Sequence, residues 1–191
     1  MRGTIMNYPL TLPTILEHAG RLHGAQEIVS RMPDKSVHRY RFTEFYNRTK
    51  KLADGLIKAG LKSGDRVGTL CWNRYAHLEA YFGVPCSGGV LHTLNLRLHA
   101  DELAYIAKHA GDRFLIVDDD LLPILEGFRD KVDFERIFVV RYNGDPVPAG
   151  MEDYEDLLDG ATSEFTYPEI DEFDACGMCY TSGTTGKPKG V

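Results

Sequence analysis

Glycines, hydroxyls and lysines crowd the stretch Tyr180-Thr-Ser-Gly-Thr-Thr-Gly-Lys-Pro-Lys-Gly-Val191. Gly183, Gly186 and Gly190 let a backbone take positive φ and bring its N–H groups close to a ligand. Thr181, Ser182, Thr184 and Thr185 add hydroxyl donors, and Lys187 and Lys189 add positive charge. Donors and cations gathered on a flexible backbone are the chemistry of phosphate binding, because phosphate oxygens are negatively charged acceptors. The Walker pattern G-x-x-x-x-G-K-[ST] is not met: two residues separate Gly183 from Gly186, and Pro188 follows Lys187. Pro188 has no N–H and biases Lys187 away from helical geometry, so no helix starts on that lysine. A disordered linker would account for the composition but not for the ordered spacing.

Other residues with chemical potential read as structural. Cys176-Gly-Met-Cys179 has C-x-x-C spacing, but Ala175 to Thr181 is predicted as a strand, in which residues three apart face opposite ways. The two thiols are therefore expected to be buried and idle, sharing neither a metal nor a disulfide. His92, with Thr93 and Asn95, is predicted at the end of a strand, where ligand sites of open α/β sheets collect. A single histidine without a partner is not a catalytic site, so His77 and His92 are both expected to be structural. Asp65 and Arg66 read as a turn before a strand, and the acidic stretch 152–159 as solvated surface charge without EF-hand spacing.

The elements that must position the terminal stretch begin with a helix at Leu12 to Leu22, which places Ile15, Leu16, Ala19 and Leu22 on one face behind Thr11 as N-cap. A hairpin follows, Glu27 to Met32 with Val37 to Phe42, turning at Pro33. The next helix, Thr43 to Ala59, turns Phe45, Leu52, Ala53, Leu56 and Ile57 inward, leaves Asp54 and Lys58 as an outer pair, and stops at Gly60. From there strands and helices alternate: strands at 66–72, 89–94, 114–117 and 136–140, and helices at 75–82, 101–109 and 121–128. A short helix is expected at 154–158, then surface linker from 164 to 174 and a final strand into the glycine-rich stretch. This order gives an α/β fold, a parallel sheet flanked by helices and buried on both faces, with an N-terminal helix and hairpin.

From Met178 to Lys189 the terminal stretch resembles the AMP-binding signature of the adenylate-forming superfamily, which includes acyl-CoA synthetases, luciferases and the adenylation domains of peptide synthetases. Upstream, Gly64-Asp-Arg-Val67, Trp72-Asn73, His77-Leu-Glu-Ala-Tyr-Phe82 and Gly88 through Arg97 look like the fatty-acyl-CoA synthetases of medium and long chain specificity. Tyr105-Ile106, His109-Ala110 and Val117-Asp-Asp119 continue that similarity in order. The resemblance implies that 1–191 is the N-terminal portion of the large adenylation domain, ending at its phosphate loop, with the C-terminal domain absent. It implies an ATP-dependent acid–thiol ligase that joins a fatty acid or other carboxylic acid to coenzyme A through an acyl-adenylate. Thr181, Ser182, Gly183, Thr184, Thr185, Gly186 and Lys189 would hold the ATP phosphates, with Lys189 also offsetting charge on departing pyrophosphate and Thr181 contacting Mg²⁺. Position 187 varies in the family, so Lys187 is expected to be a solvated neighbour. The fragment alone is expected to be inactive, and the resemblance leaves room for a homodimer of the full-length protein. An adenylating enzyme with another acyl acceptor, or a non-catalytic truncated phosphate-binding module, are the alternatives.

Composition excludes several other classes. The chain has 191 residues, 43% hydrophobic and 26% charged, the balance of an ordinary globular domain. A net charge of −6 leaves no footprint for nucleic acid. No apolar run reaches the length of a membrane span, the N-terminus lacks the apolar core of a signal peptide, and four cysteines do not make a disulfide framework. The expected compartment is the cytoplasm.

Overall fold

The computed structural model describes residues 8–181 and 187–191. Helix α1 (Leu12–Leu22) carries Pro13 in its first turn, where the missing N–H costs nothing. Strands β1 (Glu27–Arg31) and β2 (Val37–Arg41) form the expected antiparallel hairpin, with Ser30 paired to His38, and Lys35 in its turn takes φ 69°. Helix α2 (Phe42–Lys58) is opened by the Glu44 carboxylate, which accepts from Arg41 N at 3.0 Å, and ends before Gly60 at φ 101°. The alternating part follows as β3 (Arg66–Leu70), α3 (Tyr75–Cys86), β4 (Val90–Thr93), α4 (Ala100–Ala110), β5 (Asp112–Asp118), α5 (Leu122–Glu126) and β6 (Arg136–Val140). Then come β7 (Glu152–Asp153), α6 (Tyr154–Asp159), β8 (Gly177–Met178), β9 (Tyr180–Thr181) and β10 (Lys189–Gly190).

Six strands form one parallel sheet in the order β7-β6-β5-β3-β4-β8. Its strands are apolar on both faces because helices cover both. Phe114 and Ile116 of β5, with Phe138 and Val140 of β6, face α2, α3 and α6 through Leu52, Leu56, Ala80, Val84 and Tyr154. Their neighbours Leu115, Val117, Ile137 and Val139 face α4 and α5 through Leu103, Ile106, Ala107 and Leu125. The two-residue period of a strand sorts these side chains between the two layers. A third cluster, Leu16, Tyr40, Phe45, Ala53 and Cys86, seats α1 and the hairpin on α2 and α3.

One buried carboxylate ties four elements together. Glu79 of α3 is fully buried and accepts from Arg48 Nε at 2.7 Å, Tyr154 Oη at 2.8 Å and Tyr40 Oη at 3.3 Å. Arg48 also reaches the Glu155 carboxylate at 2.7 Å. Burial pushes the Glu79 carboxyl above its ordinary range, and the Arg48 guanidinium and the Tyr154 hydroxyl pull it back. A charge removed from water needs this set of partners to persist.

Several expectations are corrected. Helix α3 does not stop at Phe82 but runs to Cys86, through Gly83 and Pro85. Gly83 lies against α2 with no room for a Cβ, which would come 2.6 Å from Leu52 Cδ2, so packing carries the helix past its breakers. The helix expected at 121–128 is a 3₁₀ turn (Asp119–Leu121) followed by the short α5, with Pro123 in its first turn. In the acidic stretch Asp156 and Asp159 are exposed as expected, whereas Glu152 pairs with Arg136, and Asp153 pairs with Arg141 at 2.6 Å and caps α6 by accepting from Glu155 N at 2.8 Å. Leu16 of the α1 face is buried, while Ile15 and Leu22 are exposed, as is Ile57 of α2. The strand expected at 175–181 is split: β8 joins the sheet beside β4, whereas β9 pairs antiparallel with β10. Cys176 and Cys179 are therefore exposed, contrary to expectation, because β8 is an edge strand of two residues and nothing described covers their side; both are free thiols.

Candidate functional site

Of the residues expected to hold phosphate, Thr181 and Lys189 are described, and Ser182, Gly183, Thr184, Thr185 and Gly186 lie outside the described residues. Thr181 of β9 and Lys189 of β10 are Cα partners in an antiparallel pair. Residues directly opposite in such a pair project to the same face, so a hydroxyl and an ammonium stand side by side at the two feet of segment 182–186. Both are exposed. The pairing extends one residue further, with Cys179 N donating to Val191 O at 3.0 Å and Val191 N to Cys179 O at 2.9 Å. The two donor groups fit an anionic phosphate. Magnesium is a different case: among the described residues no group of three His, Cys, Asp or Glu side chains could hold a metal ion. Thr181, expected to contact Mg²⁺, would offer it one neutral hydroxyl, and a hard cation needs further oxygen ligands beside that one.

The opposite face of the hairpin is turned inward. Tyr180 is the Cα partner of Gly190, and a Cβ on Gly190 would stand 3.1 Å from the Tyr180 ring, so glycine leaves the ring its place. The ring lies against His92 with centroids 5.3 Å apart, and the Tyr180 hydroxyl shares a hydrogen bond with His109 Nδ1 at 2.6 Å. His92 sits within β4, not at its end, and is fully buried. Its Nδ1 meets the Asp112 carboxylate at 2.7 Å, while Nε2 is buried without a partner. Burial pushes the Asp112 carboxyl upward and the His92 hydrogen bond pulls it down. Gly68 of β3 makes the pair feasible, since a Cβ there would come 3.0 Å from Asp112 Oδ2. The structural role expected of His92 agrees with this burial, but the expected lack of a partner does not. His77 shares a hydrogen bond with Thr69 Oγ1 at 3.1 Å, and burial pushes its imidazole down to about 4.

Sequence reasoning gave Tyr105, His109, Asp112 and Arg74 no role. The spacing of Tyr105 and His109, four apart on one helix, was the available signal. For Asp112 and Arg74 no signal existed, because their partners come from other strands. Arg74 lies where the winding of the sheet reverses, between β3 and β5, the point at which open α/β sheets commonly bind ligands. Here the chain fills that crevice itself: Arg74 donates to Asp118 at 3.1 Å and to Asp120 at 2.7 Å, beneath the Tyr142 ring. Trp72 N donates to Asp118 at 2.9 Å, and burial nevertheless pushes that carboxyl up to about 7. A cleft of about 690 Å³ between α2, α6 and β6 is remote from the hairpin, and its Arg136 and Arg141 are already paired. Asp65 is structural as expected, accepting from Lys62 N and from Arg113.

Residues 16–191 match the family described as AMP-binding enzyme. The chain is 45% identical over 189 residues to the long-chain-fatty-acid–CoA ligase of Thermus thermophilus, covering 99% of this chain and 34% of that protein. It is 38% identical over 195 residues to the medium-chain-fatty-acid–CoA ligase of Ectopseudomonas oleovorans, covering 100% and 36%. The chain spans about a third of the length of these curated relatives. The crystal structure of an anthranilate CoA ligase in complex with anthranoyl-AMP superposes with a TM-score of 0.85 at 24% identity, over 100% of this chain and 36% of that one. A long-chain-fatty-acid–CoA ligase from Archaeoglobus fulgidus gives 0.79 at 24% identity, over 100% and 38%. At those identities the two structures establish the fold alone. The family match over nearly the whole chain goes further, and the chain belongs to the AMP-binding enzyme family.

Proposed function

We propose that this chain is the N-terminal portion of the adenylation domain of an ATP-dependent fatty-acid:CoA ligase and carries its phosphate-binding segment. One observation carries the reading: Thr181 and Lys189 stand across from each other at the feet of a glycine- and hydroxyl-rich segment. The two named fatty-acid–CoA ligases aligned with almost all of the chain support the acid–thiol chemistry.

In that chemistry a carboxylate oxygen of the fatty acid attacks the α-phosphorus of ATP. The bond from that phosphorus to the bridging oxygen breaks and pyrophosphate leaves. The thiol of coenzyme A then attacks the acyl carbonyl, loses its proton, and displaces AMP. Backbone amides of Gly183 to Gly186 with the Ser182, Thr184 and Thr185 hydroxyls would hold the β- and γ-phosphates, and the Thr181 hydroxyl would contribute from the strand. The Lys189 ammonium would offset negative charge as it collects on pyrophosphate, a stabilisation that grows toward the transition state. Magnesium would supply further charge neutralisation, with carboxylate ligands from outside this chain. Lys187 lies over the Tyr105 ring at 5.0 Å, and we assign it no contact with the phosphates. Four free thiols fit a reducing compartment, and we place the enzyme in the cytoplasm. Among the described residues no helix is long and apolar enough to cross a membrane.

Product analysis tests this directly. The complete polypeptide containing this chain, given ATP, magnesium, coenzyme A and fatty acids of graded length, is expected to form acyl-CoA, and residues 1–191 alone none. Acyl-adenylate that accumulates without thioester would assign another acceptor, and thioester made by residues 1–191 would refute the division of labour.

A further inference from the structure

The antiparallel pair β9/β10 has two residues per strand, and a two-stranded hairpin is marginal by itself in water. Something must hold it in place if its loop is to present donors in a fixed geometry. Among the described residues its one side-chain hydrogen bond to the rest of the molecule runs from Tyr180 to His109 of α4. The His109 ring meets the Tyr180 ring edge-on at 5.9 Å and stacks on Tyr105, one turn earlier, at 5.4 Å. On the other side of segment 182–186, the Lys187 ammonium lies 5.0 Å above the Tyr105 ring. One face of α4 thus touches the chain both before and after that segment. An exposed lysine that the sequence marks as a bystander is on the outgoing side of this contact.

We infer that Tyr105 and His109 are positioning residues, a two-point clamp by which α4 fixes both ends of segment 182–186. The helix is a rigid base for this purpose. Leu103, Ile106 and Ala107 bury its inner face against the sheet. Arg66 Nε donates to Ala110 O at 2.6 Å and closes the helix end, beside Gly111 at φ 68°. His92, held by Asp112, is the floor under the Tyr180 ring. Gly190 completes the fit by leaving room above it. Donors held in place before a charge develops stabilise it more than donors that must first be ordered. The functional half of the clamp rests on the phosphate-binding reading above; its structural half does not.

Amide hydrogen exchange on the complete polypeptide containing this chain separates the two halves. His109→Ala is expected to speed exchange in residues 177–181 and 187–191 by at least about tenfold, with β3 and β5 at wild-type rates. His109→Asn, which keeps a polar atom near the position of Nδ1, is expected to restore most of the protection. Tyr180→Phe, which removes the hydrogen bond but keeps the ring contacts, is expected to loosen the same residues less than His109→Ala, and the double variant to match His109→Ala alone, because the bond is already lost there. Tyr105→Leu is expected to loosen 187–191 while Tyr105→Phe does not, since the ring face is what the lysine meets. Unchanged exchange in His109→Ala and Tyr105→Leu, additive effects of Tyr180→Phe and His109→Ala, or equal loosening of β3 and β5 would each overturn the clamp. Calorimetric titration with inorganic pyrophosphate reads the functional half: weaker binding by His109→Ala than by wild type supports it, and equal binding overturns it. A wild-type chain that binds no pyrophosphate counts against the phosphate-binding reading, and the clamp is then decided by exchange alone.

Discussion

Thr181 and Lys189, the residues we propose face the phosphates, could be picked out from sequence because their chemistry is local: motif spacing fixes which donors share a short segment, and pairing across a hairpin then puts them on one face. Glu79, Asp112, Asp118 and His77 were not readable in the same way, because their roles depend on partners far along the chain. His77 allows a direct check. Its imidazole is held at about 4 by burial, against about 6.5 in an unfolded chain. Between those values the unfolded chain takes up a proton that the folded chain refuses, so stability is full above pH 6.5 and falls as the pH drops toward 4. Buried Asp112, Asp118 and Glu79, whose carboxyls are pushed upward, give slopes of the opposite sign, so the comparison must be made between variants. His77→Gln does not titrate and keeps a polar group for Thr69. Urea denaturation at pH 7.5 and 4.5 is expected to show wild type losing about 2–3 kcal/mol more than this variant. Equal losses would show that the histidine is not held neutral.

At the scale of elements, periodicity gave the alternation of strands and helices and the two hydrophobic layers, since long amphipathic helices and continuous apolar strands carry strong signals. What it missed were elements defined by neighbours. Strand β7 is two residues recognised by their pairing with β6, and the split between β8 and β9 depends on which partner each half meets. The same is true of the last turn of α3, where local breakers are overridden by contact with α2. Alanine at position 83 would ordinarily favour a helix by about 1 kcal/mol over glycine. Here its Cβ would come within 2.9 Å of Leu52 Cγ as well as 2.6 Å of Cδ2, so the helices must part or Leu52 must leave its rotamer. Gly83→Ala is therefore expected to destabilise the chain by about 1–3 kcal/mol in chemical denaturation. A gain in stability would mean that α2 and α3 pack less closely.

For the molecule as a whole, the parallel sheet is a platform with two different ends of business. At the reversal of its winding, between β3 and β5, the crevice is occupied by Arg74, Asp118 and Asp120, so the usual ligand position of such sheets is closed by the chain itself. The donors are instead presented beyond the β8 edge, on a hairpin set against α4. Family membership and the α/β architecture followed from sequence because the motif and the strand rhythm span the chain. The placement of the hairpin did not, because it rests on Tyr180 meeting His92 and His109, residues 88 and 71 positions away in the sequence. The most direct test of the central claim is carboxylate-dependent ATP–pyrophosphate exchange by the complete polypeptide, because exchange isolates the adenylation step from thioester formation. Lys189→Ala and Gly186→Val are each expected to slow it by at least about tenfold. Wild-type exchange in both variants would contradict the assignment of residues 180–191 to the phosphates of ATP.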